Sequence, residues 1–246
     1  MKNVRYFGEQ ISLFISIVII LAVSLWFYYG VYWLFPLVII FYLLYIVIAQ
    51  KQLMGTSLLI TEKQFPEIYK IIEENTEELN IKIPKVYITQ DPYLNAYTLG
   101  FFKPYSIVIN SAVIESFSRN EIDFIIGHEM GHIKYGHAKY LSLIAPLGKN
   151  IPVLSWIYGD WQRRSEYTSD RVGLLLTHDV KPAINVMIKL TVGNKLANNV
   201  DTEEVLKQIH LGKKGILAKT GEFFQTHPYT TNRMEQLILF NDFRQD

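Results

Sequence analysis

Two histidines and one glutamate stand at a spacing that would allow them to hold a metal ion and activate water. His128, Glu129 and His132 occur in the segment His-Glu-Met-Gly-His. On a helix, residues four positions apart lie one turn apart on the same face, so both imidazoles could bind one ion. Glu129, beside the first histidine, would then accept a proton from water. The alternative is a solvated helix that shows two histidines by chance.

The flanking residues predict that this segment lies in a buried helix. Ser118 and Glu121 form a capping box, which is typical of a helix start. The apolar residues after it give the helix a buried face: Ile122, Phe124, Ile125 and Ile126. Residues 85–89 and 106–110 are short β-branched runs between turn residues, and we predict a strand at each. A small sheet should therefore lie next to the metal-binding helix.

A catalytic zinc site needs a third protein ligand and leaves one position for water. A histidine ten residues after His128 is excluded, because that position is Ala138. Glu166 and Asp170 are four residues apart and would share one face of a second helix. Glu166 could bind the metal while Asp170 accepts the free N–H of a liganding imidazole, although such a pair can also be a solvated helix face. The other candidate carboxylates lack a comparable partner: Glu115, Glu121, Glu203, Glu204, Glu222 and Glu235.

Four motifs in fixed order make the chain resemble the integral-membrane gluzincin metallopeptidases, the family that includes the heat-shock protease HtpX and the CAAX prenyl endopeptidase. The motifs are Asn95 to Gly100, His128 to His132, Glu166 to Asp170, and His227-Pro228 with Arg233. Several motifs in order are more specific than any one of them. The resemblance covers about residues 65–239 and implies a zinc-dependent endopeptidase with a zincin-like domain.

The resemblance also implies functions for residues outside the metal ligands. It places Asn95, Ala96 and Tyr97 at the substrate cleft, where a neutral amide can pair with a peptide. It brings His227 to the active site, where an imidazole can stabilise the oxyanion formed from the scissile carbonyl. Without the resemblance, Asn95 would be interpreted as a turn residue and His227 as a loop histidine.

Two further residues near these motifs receive a structural interpretation. We expect Arg233 to pair with an acidic group. His137 is not expected to bind the metal, because five residues beyond His132 it points away from the metal-binding face of the helix.

The N-terminal part of the chain has the composition of a membrane anchor. No Asp, Glu, Lys or Arg occurs between Glu9 and Lys51. Residues 11–27 and 31–49 are each close to the roughly 20 apolar residues that cross a bilayer, so residues 1–50 predict a two-span hairpin. Because Lys2 and Arg5 precede the first span and Lys51 follows the second, the positive-inside rule places both termini and the catalytic domain in the cytoplasm.

The rest of the chain has the composition of a soluble domain. We predict a linker over residues 51–62 and the metallopeptidase domain over residues 63–246, with a metal site that is complete without the hairpin. The apolar segments 140–147 and 151–158 are too short to span a membrane, so they belong either to the core or to the membrane surface.

The 24 basic and 23 acidic residues do not favour a nucleic-acid partner, and the absence of cysteine excludes thiolate ligands.

Together these features predict a mainly α fold with a small β-sheet, an α+β zincin-like catalytic domain, behind an N-terminal transmembrane helical hairpin. The predicted function is that of a multi-pass, membrane-anchored zinc endopeptidase that binds one Zn²⁺ per chain. Its partners would be the lipid bilayer and peptide or protein substrates at or near the cytoplasmic membrane face. The alternatives are a catalytically idle metal-binding scaffold and a stress sensor whose hairpin pairs with partner helices through Ser12 and Ser16.

Overall fold

The computed structural model of the chain describes residues 4–32, 34–101, 103–148, 152–212 and 228–245. The helices are α1 (Glu9–Val31), α2 (Phe35–Thr56), α3 (Pro66–Leu79), α4 (Ser111–Ser116), α5 (Arg119–Lys134), α6 (His137–Gly148), α7 (Pro152–Thr177), α8 (Val180–Val192), α9 (Asn194–Ala197), α10 (Thr202–Gly212) and α11 (Thr230–Gln245). The strands are β1 (Leu58–Leu59), β2 (Lys85–Thr89), β3 (Ala96–Leu99) and β4 (Ser106–Asn110). The predicted fold class, mainly α with a small sheet, is confirmed.

The strands form one mixed sheet in the order β1-β2-β4-β3. β2 and β4 pair in parallel at its centre, while β1 and β3 are antiparallel edge strands. β2 and β4 have the predicted bounds, and the side chains of Ile107, Val108 and Ile109 in β4 are fully buried. β-branched residues suit such a buried strand, because their side chains pack well on the pleated surface. β3 is left at the edge beside the helix that carries the two histidines.

Helix α5 begins at the predicted capping box. The Ser118 backbone N–H donates to Glu121 Oε2 at 2.7 Å, and the Ser118 side chain accepts from the third backbone N–H of the helix. The Glu121 carboxylate also pairs with Lys189 of α8 at 2.8 Å. This cap fixes the start of α5 against α8. His128 lies inside this regular helix and His132 lies in its last turn, and both side chains are buried.

Helices α5 and α7 approach each other closely because glycines stand at their contact. A Cβ atom added to Gly173 of α7 would lie 2.8 Å from the backbone oxygen of Phe124 in α5. A Cβ atom added to Gly131, between the two histidines, would lie 3.0 Å from Cα of Ser169. Any larger side chain would therefore push the two helices apart. The glycines thus set the distance between helices α5 and α7.

Helices α1 and α2 differ in how well they match a bilayer. Within the described residues, one helix is long and apolar enough to span a membrane: residues Glu9–Gly30 have a mean hydropathy of 2.5, and 11% of that window is buried. The apolar part of α2, Pro36–Ile48, is shorter. α2 itself continues to Thr56, so the first residues of the predicted linker are helical. The second span therefore stays a prediction.

Hydrogen bonds join α1 to α7 and α2 to α6. Ser16 of α1 donates to the backbone oxygen of Ile157 at 3.0 Å, and Ser12 donates to Asp160 Oδ2 at 2.6 Å. The Tyr42 hydroxyl of α2 donates to the backbone oxygen of Leu143 in α6. The buried hydroxyls of Ser12 and Ser16 thus bind α7 of the same chain, which removes the support for a hairpin that pairs with foreign helices.

Candidate metal centre

Three buried side chains from two helices bring their ligand atoms together. His128 Nε2 lies 3.2 Å from His132 Nε2 and 3.6 Å from Glu166 Oε2. His132 Nε2 lies 3.4 Å from Glu166 Oε1. The two histidines come from consecutive turns of α5, and Glu166 comes from the facing side of α7. Among the described residues, these three form the group that could hold a metal ion.

The separations fit a small tetrahedral ion. Zinc binds histidine nitrogen and carboxylate oxygen at roughly 2.0–2.2 Å, so two ligand atoms of a tetrahedral site are roughly 3.3–3.5 Å apart. The observed separations of 3.2, 3.4 and 3.6 Å lie around that value. Two neutral imidazoles and one carboxylate are also a ligand set that zinc accepts. The donor set would leave a fourth position open to the adjoining cavity.

Asp170 fixes the orientation of the first histidine. His128 donates through Nδ1 to Asp170 Oδ1 at 2.9 Å, which leaves its Nε2 facing the candidate ligand cluster. Arg233 of α11 binds the same carboxylate through Nε at 2.8 Å and Nη2 at 2.5 Å, and its Nη1 lies 3.4 Å from Glu166. Burial alone would raise the pKa of Asp170, but the charge and hydrogen bonds of Arg233, with a contribution from His128, hold it below its usual range. Arg233 thus pairs with acidic groups, as expected from the sequence.

Glu129 lies beside the cluster and is held by a strand residue. Thr98 of β3 donates to Glu129 Oε2 at 2.6 Å and contacts the backbone oxygen of Glu129 at 3.1 Å. The carboxylate is buried, yet it lines the cavity at the cluster. Thr98 lies within the motif from Asn95 to Gly100 but carried no predicted function. Its contact with Glu129 joins the edge of the sheet to the metal helix.

A cavity of about 780 Å³ opens at the cluster. Asn95, Ala96 and Tyr97, the predicted substrate-binding residues, lie along it on or next to β3. Asn95 is exposed, and its backbone oxygen accepts from Asn110 N at 3.0 Å, so its main chain is tied to the end of β4. An apolar part of the lining comes from α4, α5 and α8: Val113, Phe124, Ile125, Val186, Met187 and Leu190.

The structure also brings two residues to the centre that sequence reasoning did not assign to it. His137 is outside the ligand group, but it does not point away from it: it begins α6, and its Nδ1 lies 3.2 Å from Nδ1 of His132. Its Nε2 lies 2.9 Å from Glu9 Oε1 at the start of α1. Burial lowers the pKa of His137 to about 4, so its ring is neutral near pH 7. Glu9 is separated from His137 by 128 positions, and no local pattern could have joined them.

The predicted oxyanion residue, His227, lies outside the described residues. Arg233, six positions later, is described, and its contacts with Asp170 and Glu166 bring the start of α11 to the cluster.

Comparison with known proteins relates the chain to a peptidase family. It is 29% identical over 204 residues to the plastoglobule-localized metallopeptidase 48 of Arabidopsis thaliana, over 74% of this chain and 59% of that protein. It is 26% identical over 186 residues to a protease HtpX homolog of Streptococcus uberis, over 69% of this chain and 61% of that protein. The chain thus spans about three fifths of the length of these two relatives. A further protease HtpX homolog, from Helicobacter pylori, is 26% identical over 76% of this chain and 71% of its own length.

A solved structure has the same fold. The crystal structure of Ste24p from S. mikatae matches with a TM-score of 0.51 at 17% identity, covering 94% of this chain and 66% of that one. The model of peptidase family M48 matches residues 62–158 and 144–238. The matched range includes His128, His132, Glu166, Asp170 and Arg233. Since this range takes in most of the chain, the protein belongs to peptidase family M48.

Proposed function

We propose that this protein is a membrane-anchored, zinc-dependent endopeptidase that cuts proteins at or near the cytoplasmic face of a membrane. One observation carries the proposal. The ligand atoms of His128, His132 and Glu166 converge at separations that suit tetrahedral zinc, and the buried carboxylate of Glu129 lies beside them in an open cavity. Membership of a metallopeptidase family supports the same chemistry.

His128, His132 and Glu166 would hold one Zn²⁺ per chain. A zinc ion in that position supplies Lewis-acid chemistry, because it polarises a carbonyl group and makes water more acidic. Asp170 keeps the His128 ring in the tautomer that presents Nε2, and Arg233 keeps Asp170 ionised and oriented. These contacts hold the ligands in place before a substrate arrives.

Glu129 would be the general base. The Thr98 hydroxyl occupies its Oε2, which leaves Oε1 to accept the proton of the attacking water. The same carboxyl group would then give this proton to the leaving amine. The hydrogen bond from Thr98 fixes the rotamer of the carboxylate, so that Oε1 keeps its position beside the ligand cluster.

The substrate would lie along β3. Among the strands of the described residues, β3 pairs with β4 alone, and its residues line the cavity, so an extended peptide could add to its outer edge. In this position Asn95 and the backbone of Ala96 and Tyr97 would bind the peptide main chain. The apolar part of the cavity lining would accept an apolar side chain next to the cut bond.

His227 would donate a hydrogen bond to the oxyanion, as the His-Pro motif implies. Because the oxyanion exists only in the transition state, His227→Phe should lower kcat more than it raises KM. A change confined to KM in steady-state peptide hydrolysis would make His227 a substrate-binding residue instead.

The anchor would cross the membrane twice and leave the catalytic domain in the cytoplasm. The basic residues on both outer flanks and the uncharged bend support this topology. The chain has no cysteine, so single cysteines at the exposed Tyr29 in the last turn of α1 and at the exposed Glu203 can report the two sides. A membrane-impermeant maleimide added to intact cells should label position 29 and should reach position 203 only after the membrane is opened. The reverse pattern would refute the cytoplasmic assignment.

A direct assay separates an enzyme from an idle scaffold. The purified full chain in detergent should cleave casein, lose this activity to a strong chelator, and regain it when about one equivalent of Zn²⁺ per chain is restored. A protein that binds zinc but cleaves neither casein nor any peptide of a random-sequence library would instead be a metal-binding scaffold. Cleavage that survives complete removal of metal would overturn the proposed zinc dependence.

A further inference from the structure

The N-terminal anchor reaches the candidate metal centre through a buried chain of hydrogen bonds. The hydrogen-bond chain starts at His132 Nδ1, runs through both ring nitrogens of His137, and ends on the carboxylate of Glu9, the first residue of α1. Both His137 and Glu9 are 2% exposed. None of the functions proposed above uses either residue.

The positions of the protons follow from the cluster. His132 presents Nε2 to the other ligands, so a metal-binding His132 carries its proton on Nδ1. That N–H donates to His137 Nδ1 at 3.2 Å, and His137 therefore carries its own proton on Nε2. The Nε2–H group of His137 donates to Glu9 Oε1 at 2.9 Å. Each donor has an acceptor, and the chain ends on an ionised group that can only accept.

Besides His137, Thr168 and Arg5 hold the Glu9 carboxylate. Thr168 of α7, two residues after Glu166, donates its hydroxyl proton to the second oxygen of Glu9. The Thr168 oxygen accepts from the backbone N–H of Tyr6 at 3.0 Å, and the Arg5 guanidinium lies 3.5 Å from Glu9 Oε1. The carboxylate therefore has a defined position relative to α7.

The segment before α1 is bound to the catalytic domain over its described length. Val4 is buried, and its backbone oxygen accepts from Arg171 of α7 at 3.4 Å. The Tyr6 ring packs on Tyr167 with centroids 4.8 Å apart. These contacts make residues 4–9 part of the domain that holds the metal, not a free tether.

We propose that Glu9 is a positioning residue of the metal centre, which acts through His137 to orient His132, so that the membrane anchor completes the site. The inference rests on the proposed metal centre. It gives His132 an orienting carboxylate that matches Asp170 beside His128, with one imidazole placed between carboxylate and ligand. Orienting partners of this kind influence metal affinity as well as turnover.

The test measures metal binding by the full-length protein in detergent. Zinc dissociation constants come from competition with a chelating dye, and Co²⁺ replaces zinc to give visible absorption bands that report ligand geometry. His137→Leu removes the acceptor for His132 and should weaken zinc binding about 10- to 100-fold and alter the cobalt bands. His137→Gln keeps an acceptor and should recover part of the affinity.

Glu9→Gln keeps the shape of the side chain and removes its charge, so it avoids the unpaired imidazole N–H that Glu9→Ala would leave. It should weaken zinc binding by at least about fivefold. Since Glu9 acts through His137, the zinc affinity of the double variant Glu9→Gln, His137→Leu should equal that of the single variant His137→Leu. Ser12→Ala is the matched control, because Ser12 also joins α1 to α7 but contacts no ligand. It should keep the wild-type affinity and spectrum.

Each outcome bears on the inference. If Glu9→Gln kept the wild-type affinity and cobalt bands while His128→Ala lost its metal, Glu9 would not position the metal centre. The proposed metal centre itself would still stand. Additive losses in the double variant would show that Glu9 does not act through His137 and would also overturn the inference. A wild-type protein that binds neither zinc nor cobalt would refute the proposed function itself.

Discussion

Alanine at His128, His132 or Glu166 should reduce the zinc content of the purified protein from about one equivalent to below about 0.1 per chain. Each change removes one of three protein ligands whose atoms lie within 4.8 Å of one another. The two remaining ligands would leave the ion largely hydrated and weakly bound. Metal content is measured by elemental analysis after dialysis against a weak chelator.

Two comparison variants sharpen this test. Glu203→Ala removes an exposed carboxylate that was a rival ligand in the sequence and should leave the zinc content unchanged. Asp170→Asn removes the charge that orients His128 without removing a ligand, so zinc binding should weaken by only about 10- to 100-fold. If Glu166→Ala retained its full zinc content, Glu166 would not be a ligand and the assignment of the second helix would fail.

Glu129→Gln should retain zinc and the folded structure but lose turnover by about 100- to 10,000-fold. The amide has nearly the shape of the carboxylate and can still accept the hydrogen bond from Thr98, so the cavity is preserved. It cannot accept the proton of water. The loss should appear in kcat with little change in KM, because the base acts on the transition state.

Thr98→Val tests whether the hydrogen bond from Thr98 positions the Glu129 carboxylate for catalysis. It removes the hydroxyl that holds Glu129 Oε2 at 2.6 Å and leaves the base itself in place, so kcat should fall by about tenfold. The zinc content of both variants should equal that of the wild type. Activity of Glu129→Gln within about threefold of the wild type would contradict a general-base function.

The sequence alone determined those parts of the fold whose causes are local. The capping box at Ser118 and Glu121 fixes the start of α5, and the β-branched runs at 85–89 and 106–110 became strands with the predicted bounds. These features depend on residues within a few positions of one another, which is the distance over which capping and periodicity act. Where local signals fade, at helix ends, the prediction was less accurate: the linker was predicted to begin at residue 51, but α2 continues to Thr56.

The pairing of Glu166 with Asp170 was visible in the sequence as a shared helix face, but the closeness of that face to α5 was not. It depends on Gly131 and Gly173, which let the two helix backbones approach. The energetic cost of a Cβ atom at these positions depends on which atoms of the other helix lie next to it. The sequence alone therefore does not show which helix packs against a given glycine.

The contacts of the N-terminal segment with α6 and α7 were decided by tertiary structure alone. The sequence predicted a metal site complete without residues 1–50, because all four motifs lie after them, and this stays a prediction. The fold places Glu9 2.9 Å from His137, across 128 positions, and likewise turns Ser12 and Ser16 toward α7. A hydrogen bond between side chains on distant segments leaves no periodicity or spacing in the chain. Burying a carboxylate or an imidazole costs free energy unless the group is hydrogen-bonded, and the packed helices decide which partner lies within bonding distance.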